Sequence, residues 1–123
     1  MKKNKKILLA EDNTFLAKLT SNHLKCEGFD IDVAVDGNET LDKMKDNSYA
    51  MLLLDLIMPN KDGFEVLKQL RGWGNKTPVF VFSNLAQAED KEEALKLGAQ
   101  KFFAKDEVVF DDLIREIKNI IGA

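Results

Sequence analysis

The sequence predicts an α/β fold: a five-stranded parallel sheet in the order 2-1-3-4-5, with helices on both faces. Three observations carry that prediction. Short apolar runs recur five times, and each is followed by a stretch with helical spacing of apolar residues. Strands that alternate with helices imply parallel pairing with helical crossovers. Two runs, Met51–Leu54 and Val79–Phe82, are apolar at every position, as strands buried on both faces are. Phe29–Val35 instead alternates Phe29, Ile31, Val33 and Val35 with Asp30, Asp32 and Ala34, a period of two that suits a half-exposed strand near an edge.

Taken in order, Ile7–Ala10 is the first buried strand, followed at once by Glu11-Asp12-Asn13. Leu16, Leu19, His23 and Leu24 are spaced for one helix face, Gly28 is a stop, and Asp12 or Asn13 is an N-cap. His23, the single histidine, is expected to pack half-buried. After Phe29–Val35, Asp36-Gly37-Asn38 reads as a turn, Leu41 and Met44 as a short helix, and Asp46-Asn47-Ser48 as its break. Met51–Leu54 runs into Asp55, and Pro59 with Asp62-Gly63 marks a loop. Phe64, Leu67 and Leu70 form the next helix face, ended by a glycine-rich break in which Trp73 covers the helix end. Val79–Phe82 ends at Ser83. Ala86–Leu97 is a charged, solvated helix closing at Gly98, and Lys101–Ala104 is a short last strand ending at Lys105. Phe110, Leu113, Ile114, Ile117, Ile120 and Ile121 mark a strong final helix. Right-handed crossovers then favour the flavodoxin-like arrangement of five βα units.

With 123 residues, one domain spanning 1–123 is expected. A net charge of −3 and a pI near 5.2 argue against direct nucleic-acid binding. One cysteine, Cys26, excludes an intrachain disulfide and a multi-cysteine metal centre, and suits a reducing, cytoplasmic location. No apolar run approaches transmembrane length, so membrane insertion is not expected. Ile7–Ala10 is too short for the apolar part of a signal peptide.

The chemistry gathers past the strand ends. Glu11-Asp12, Asp55, Ser83 and Lys105 each follow the carboxyl end of a predicted strand, and in such sheets those ends share one crevice. Taken alone, Asp55 is equally a residue that stops a strand or caps a turn. Together, three carboxylates and one ammonium sum to −2, a repulsion that a divalent cation would cancel. Oxygen ligands without His or Cys favour Mg²⁺ over zinc. An Asp left partly free beside such a cation can serve as a nucleophile, with the lysine and serine holding phosphoryl oxygens.

From about Lys5 to Ile121 the sequence resembles the receiver domain of bacterial two-component response regulators. The matching stretches are Ile7–Asn13, Asp55-Leu56-Ile57-Met58-Pro59 with Asp62-Gly63, Val79–Ser83, and Phe102-Phe103-Ala104-Lys105. They match in order and spacing. The resemblance implies that Asp55 accepts a phosphoryl group from a sensor histidine kinase or phosphotransfer protein. It implies that Asp12, Asp55 and the Ile57 carbonyl ligate Mg²⁺, with Glu11 acting mainly through water. Ser83 would be the switch hydroxyl, Lys105 the phosphoryl-binding cation and Phe102 the aromatic switch. It further implies a stand-alone, chemotaxis-regulator-like protein that docks on a downstream target, as a monomer or a weak phosphorylation-dependent dimer, and that catalyses only its own phosphorylation and dephosphorylation.

Three positions depart from the family pattern. Asp106 stands where proline usually follows the lysine, so a trans bond is expected there, with the last helix starting about one residue later. Asn84 replaces a small residue at the access to the site, and Phe102 lacks the hydroxyl of the frequent tyrosine. The main alternative is a receiver-like binding module that works without phosphorylation; the complete acid set with Ser83 and Lys105 speaks against it. An aspartyl-nucleophile phosphatase would carry a second Asp where Ile57 stands. A flavin carrier would need a phosphate loop where Glu11-Asp12 would repel it.

Overall fold

The computed structural model describes residues 4–84 and 87–122. The strands are β1 (Lys6–Ala10), β2 (Asp30–Ala34), β3 (Met51–Leu54), β4 (Val79–Ser83) and β5 (Lys101–Ala104). The helices between and after them are α1 (Thr14–Cys26), α2 (Gly37–Asp46), α3 (Gly63–Gly72), α4 (Ala88–Lys96) and α5 (Phe110–Ile121). All strand pairs are parallel, and the order is β2-β1-β3-β4-β5. Both fully apolar runs are interior strands, and the alternating one is an edge, as expected.

The pleat divides the core into two layers. Leu8, Leu52, Leu54, Val79 and Val81 face α2, α3 and α4, where Leu41, Met44, Val66, Leu67, Leu70 and Ala94 meet them. Ile7, Leu9, Met51, Leu53, Phe80 and Phe82 face the other way, onto Ala17 and Leu24 of α1 and Leu113, Ile114 and Ile117 of α5. Side chains alternate across a strand, so one residue of slip would exchange the two layers.

Caps set where the helices begin. Asn13 Oδ1 accepts from the Leu16 amide, Asp36 Oδ1 from Glu39 and Asp62 Oδ1 from Glu65. Asp36 is therefore the N-cap of a helix that starts at Gly37, where the sequence suggested a three-residue turn. Val35 lies exposed beyond β2.

Several other expectations are corrected. The buried stripe of α1 is Ala17, Thr20, Ser21 and Leu24, and Leu19 is 51% exposed. His23 is exposed, and its ring stacks on Phe110 with centroids 4.4 Å apart. Trp73 covers its helix end only in part and lies beneath the Lys45 ammonium, while Ile120 is exposed. Ala86, the expected start of the fourth helix, and Met1–Lys3 lie outside the described residues. Among those described, no helix is long and apolar enough to cross a membrane, and no peptide bond is cis, so Lys105–Asp106 is trans.

Candidate functional site

The sheet hydrogen-bond ladder extends one residue past three strands and so fixes the site. The Glu11 amide donates to the Ala34 carbonyl, that of Asp55 to Ala10, and that of Lys105 to Ser83, at 2.9, 3.1 and 3.0 Å. Each functional residue thus starts from a backbone position set by the register of its neighbour. Asn13 takes the capping role in α1, so Asp12 is left exposed at the mouth. Behind Asp55, a Cβ on Gly63 would lie 2.6 Å from the Asp55 carbonyl oxygen and 2.8 Å from the Leu56 Cα. Only glycine lets α3 begin this close to the acid's own backbone.

Asp55, Ser83 and Glu11 are buried, and Lys105 is mostly so. Asp55 Oδ1 accepts from the Ser83 hydroxyl at 2.7 Å and from the Ile57 amide at 3.0 Å. Asp55 Oδ2 accepts from Lys105 Nζ at 2.7 Å, and the same ammonium bonds Glu11 Oε1. Glu11 Oε2 accepts from the Asn13 amide. Burial pushes the Glu11 carboxyl up, although Lys105 opposes it. Burial alone would push the Lys105 ammonium down, but its bonds to Asp55 and Glu11 outweigh that and hold it above the usual lysine value.

Glu11, Asp12 and Asp55 place carboxylate oxygens within 4.8 Å of one another. Three acids at that distance, with one ammonium shared by two of them, leave a net negative pocket of hard oxygen donors. That donor set fits a small divalent cation such as Mg²⁺. The expected residues Glu11, Asp12, Asp55, Ser83 and Lys105 therefore come together. Ile57 enters this set through its amide, on Asp55, and the residue is 55% exposed. Phe102 is half-buried against the α2, α3 and α4 layer. The Ser83 hydroxyl, the expected switch group, lies on Asp55.

Apart from Asn84, sequence reasoning missed what borders the site. A cleft of about 270 Å³ opens beside Lys105, walled by Leu16, Leu19, Phe82 and Phe110, with Asn84 and Asp106 on its lining. Leu19, grouped by spacing with Leu16, His23 and Leu24 on one helix face, lies exposed on this cleft instead. Asn84 is exposed there, consistent with a position on the approach to the acids.

The response regulator receiver domain family matches residues 7–118, and the chain belongs to that family. Among curated relatives, the transcriptional regulatory protein CpxR homolog of Haemophilus influenzae is 38% identical over 118 residues, covering 94% of this chain and 50% of that protein. The response regulator ArlR of Staphylococcus saprophyticus is 35% identical over 100 residues, covering 81% of this chain and 45% of its own length. The chain thus spans about half the length of these relatives. The receiver domain of the Francisella response regulator 1452 superposes with a TM-score of 0.90 at 34% identity, covering 96% of this chain and 97% of that one. The response regulator TrrA of Thermotoga maritima, solved with Mg²⁺ and a beryllium fluoride, gives 0.84 at 27% identity, covering 94% and 98%. The chain is accordingly a response regulator receiver domain, the class of domain that serves two-component signalling.

Proposed function

We propose that this receiver, a single domain over 1–123, takes a phosphoryl group on Asp55 from the phosphohistidine of a sensor kinase or phosphotransfer protein. The observation that carries the reading is the convergence of Lys105 and Ser83 on the two oxygens of one buried carboxylate beside two further acids. An Asp55 carboxylate oxygen attacks phosphorus, the new P–O bond forms as the P–N bond breaks, and the leaving imidazole keeps or gains a proton. Lys105, already 2.7 Å from Oδ2, is placed to neutralise charge on the transferred group, and the Ser83 hydroxyl to donate to one of its oxygens. Asp12, Asp55 and the Ile57 carbonyl would hold Mg²⁺, with Glu11 acting mainly through water. The cation, when bound, offsets the negative charge of the phosphoryl oxygens and of the acids. Hydrolysis by water at phosphorus returns Asp55 and phosphate.

The apolar cleft beside Lys105 supports docking of the phosphodonor on the α1 side, where Phe15 and Leu19, one turn apart, are 69% and 51% exposed. Output runs through the face made by α4, Phe102 and α5, to a downstream protein. A cytoplasmic location follows from this partnership.

The test is intact mass after incubation with acetyl phosphate and Mg²⁺. One added phosphoryl group, lost without Mg²⁺ and in Asp55→Asn, is the expected result. An adduct retained in Asp55→Asn would place the acceptor elsewhere, and no adduct on the wild type would favour a binding module that works unphosphorylated.

A further inference from the structure

The loop between β3 and α3 carries the Ile57 carbonyl, and part of what holds that loop lies on α2. Asn60, in this loop, has φ +69°, the only positive φ outside glycine among the described residues. Side chains resist that region, and Asn tolerates it best when its amide finds a partner. Here Asn60 Nδ2 donates to Asp36 Oδ2 at 2.7 Å. Asp36 is itself held firmly. Its Oδ1 accepts from the Glu39 amide, its carbonyl accepts from the hydroxyl of the fully buried Thr40, and the Glu39 carboxylate reaches back to the Val35 amide. Next to it, a Cβ on Gly37 would fall 2.2 Å from the Lys61 carbonyl oxygen, so loop and helix touch backbone to backbone. At its other end the loop is tied to the site: the Ile57 amide donates to Asp55 Oδ1, and the Gly63 amide to the Leu56 carbonyl. The loop is thus strung between the acid and the N-terminus of a helix that contributes no acid to the site.

We propose that the Asp36–Asn60 hydrogen bond is a positioning device: it holds the Ile57 segment in place, so the Mg²⁺ affinity of the Asp55 site is set in part from α2. This rests on the reading of the site as a cation and phosphoryl site. Coupling of this kind is reciprocal, so a cation at Asp55 also steadies the first turn of α2.

Two variants separate the latch from the cap. Asn60→Gly keeps the backbone angle and removes the amide. Asp36→Ser keeps a capping oxygen and gives up the second carboxylate oxygen. Two NMR readouts are taken: amide exchange at Ile57 in metal-free protein, with β3 amides as the internal reference, and the dissociation constant for Mg²⁺. Each variant is expected to speed Ile57 exchange and to weaken Mg²⁺ by about three- to tenfold, the scale of one hydrogen bond. The double variant should be no worse than either single one. Unchanged Ile57 exchange with Mg²⁺ binding within about twofold of wild type in both variants would overturn the proposal, as would additive losses. A wild type that binds no Mg²⁺ would overturn the functional reading and the affinity claim, and Ile57 exchange would still decide whether the bond holds the loop.

Discussion

Residue by residue, the site shows how little of a side chain's role lies in its type. Asp12 and Glu11 are neighbours, yet one is exposed and the other buried against Lys105, because β1 ends with Ala10 inside the sheet and Asn13 takes the cap. Asn84 carries a kinetic prediction. It follows Ser83 and lies exposed on the lining of the cleft that leads to Lys105. A branched amide in that approach narrows the path of a small phosphodonor and of an attacking water alike. Asn84→Ala should therefore raise both the rate of phosphorylation by acetyl phosphate and the rate of aspartyl phosphate hydrolysis, each by up to about tenfold, since in-line geometry is sensitive to shifts near 1 Å. Following both rates at fixed Mg²⁺ checks it; faster phosphorylation with slower hydrolysis would instead mean that the amide orients the water.

Among the elements, the edge strand β2 has its own anchoring. Tyr49, buried just before β3, donates its hydroxyl to Asp32 Oδ2 at 2.7 Å, and Lys6 of β1 lies 3.3 Å from the same oxygen. The hydrogen bond from Tyr49 first, and Lys6 after it, hold the Asp32 carboxyl below its usual range, while burial and Asp32 push the Tyr49 phenol up. A carboxyl lowered in the folded state stabilises above its unfolded pKa, near 4, and that contribution is lost as pH falls through the folded value. Tyr49→Phe should thus cost about 1 kcal/mol near neutral pH, the scale of one hydrogen bond to a charged but partly exposed group. Urea unfolding of both proteins from pH 7 downward would show it: the deficit should shrink once Asp32 protonates, and a constant deficit would put the loss in packing instead.

For the molecule as a whole, the negative pocket sets up a repulsion that a bound cation would offset. A ligand that binds the folded state alone stabilises it by about 2.7 kcal/mol at a hundred times its dissociation constant, or several degrees for a domain of this size. Melting temperature should rise by that order with Mg²⁺, and Asp12→Ala should flatten the rise; an unchanged rise would place the cation elsewhere. How far all this was legible in the sequence differs by level. Five strands, five helices, the parallel order and the acids at the strand ends follow from periodicity and chirality, which act locally and repeat five times along the chain. Exposure within a helix does not. Leu19 and Ile120 have core-like chemistry but point outward, because the sheet accepts only the face that its twist and crossover present. The Lys105 bond to Glu11 spans 94 residues, the Asn60 bond to Asp36 spans 24, and the room denied to a Cβ at Gly37 depends on a loop that the chain reaches much later. Composition and spacing placed these groups near one end of the sheet. Only the packed chain decided which oxygen meets which nitrogen, because hydrogen-bond geometry is set at tenths of an ångström by contacts with residues distant in sequence.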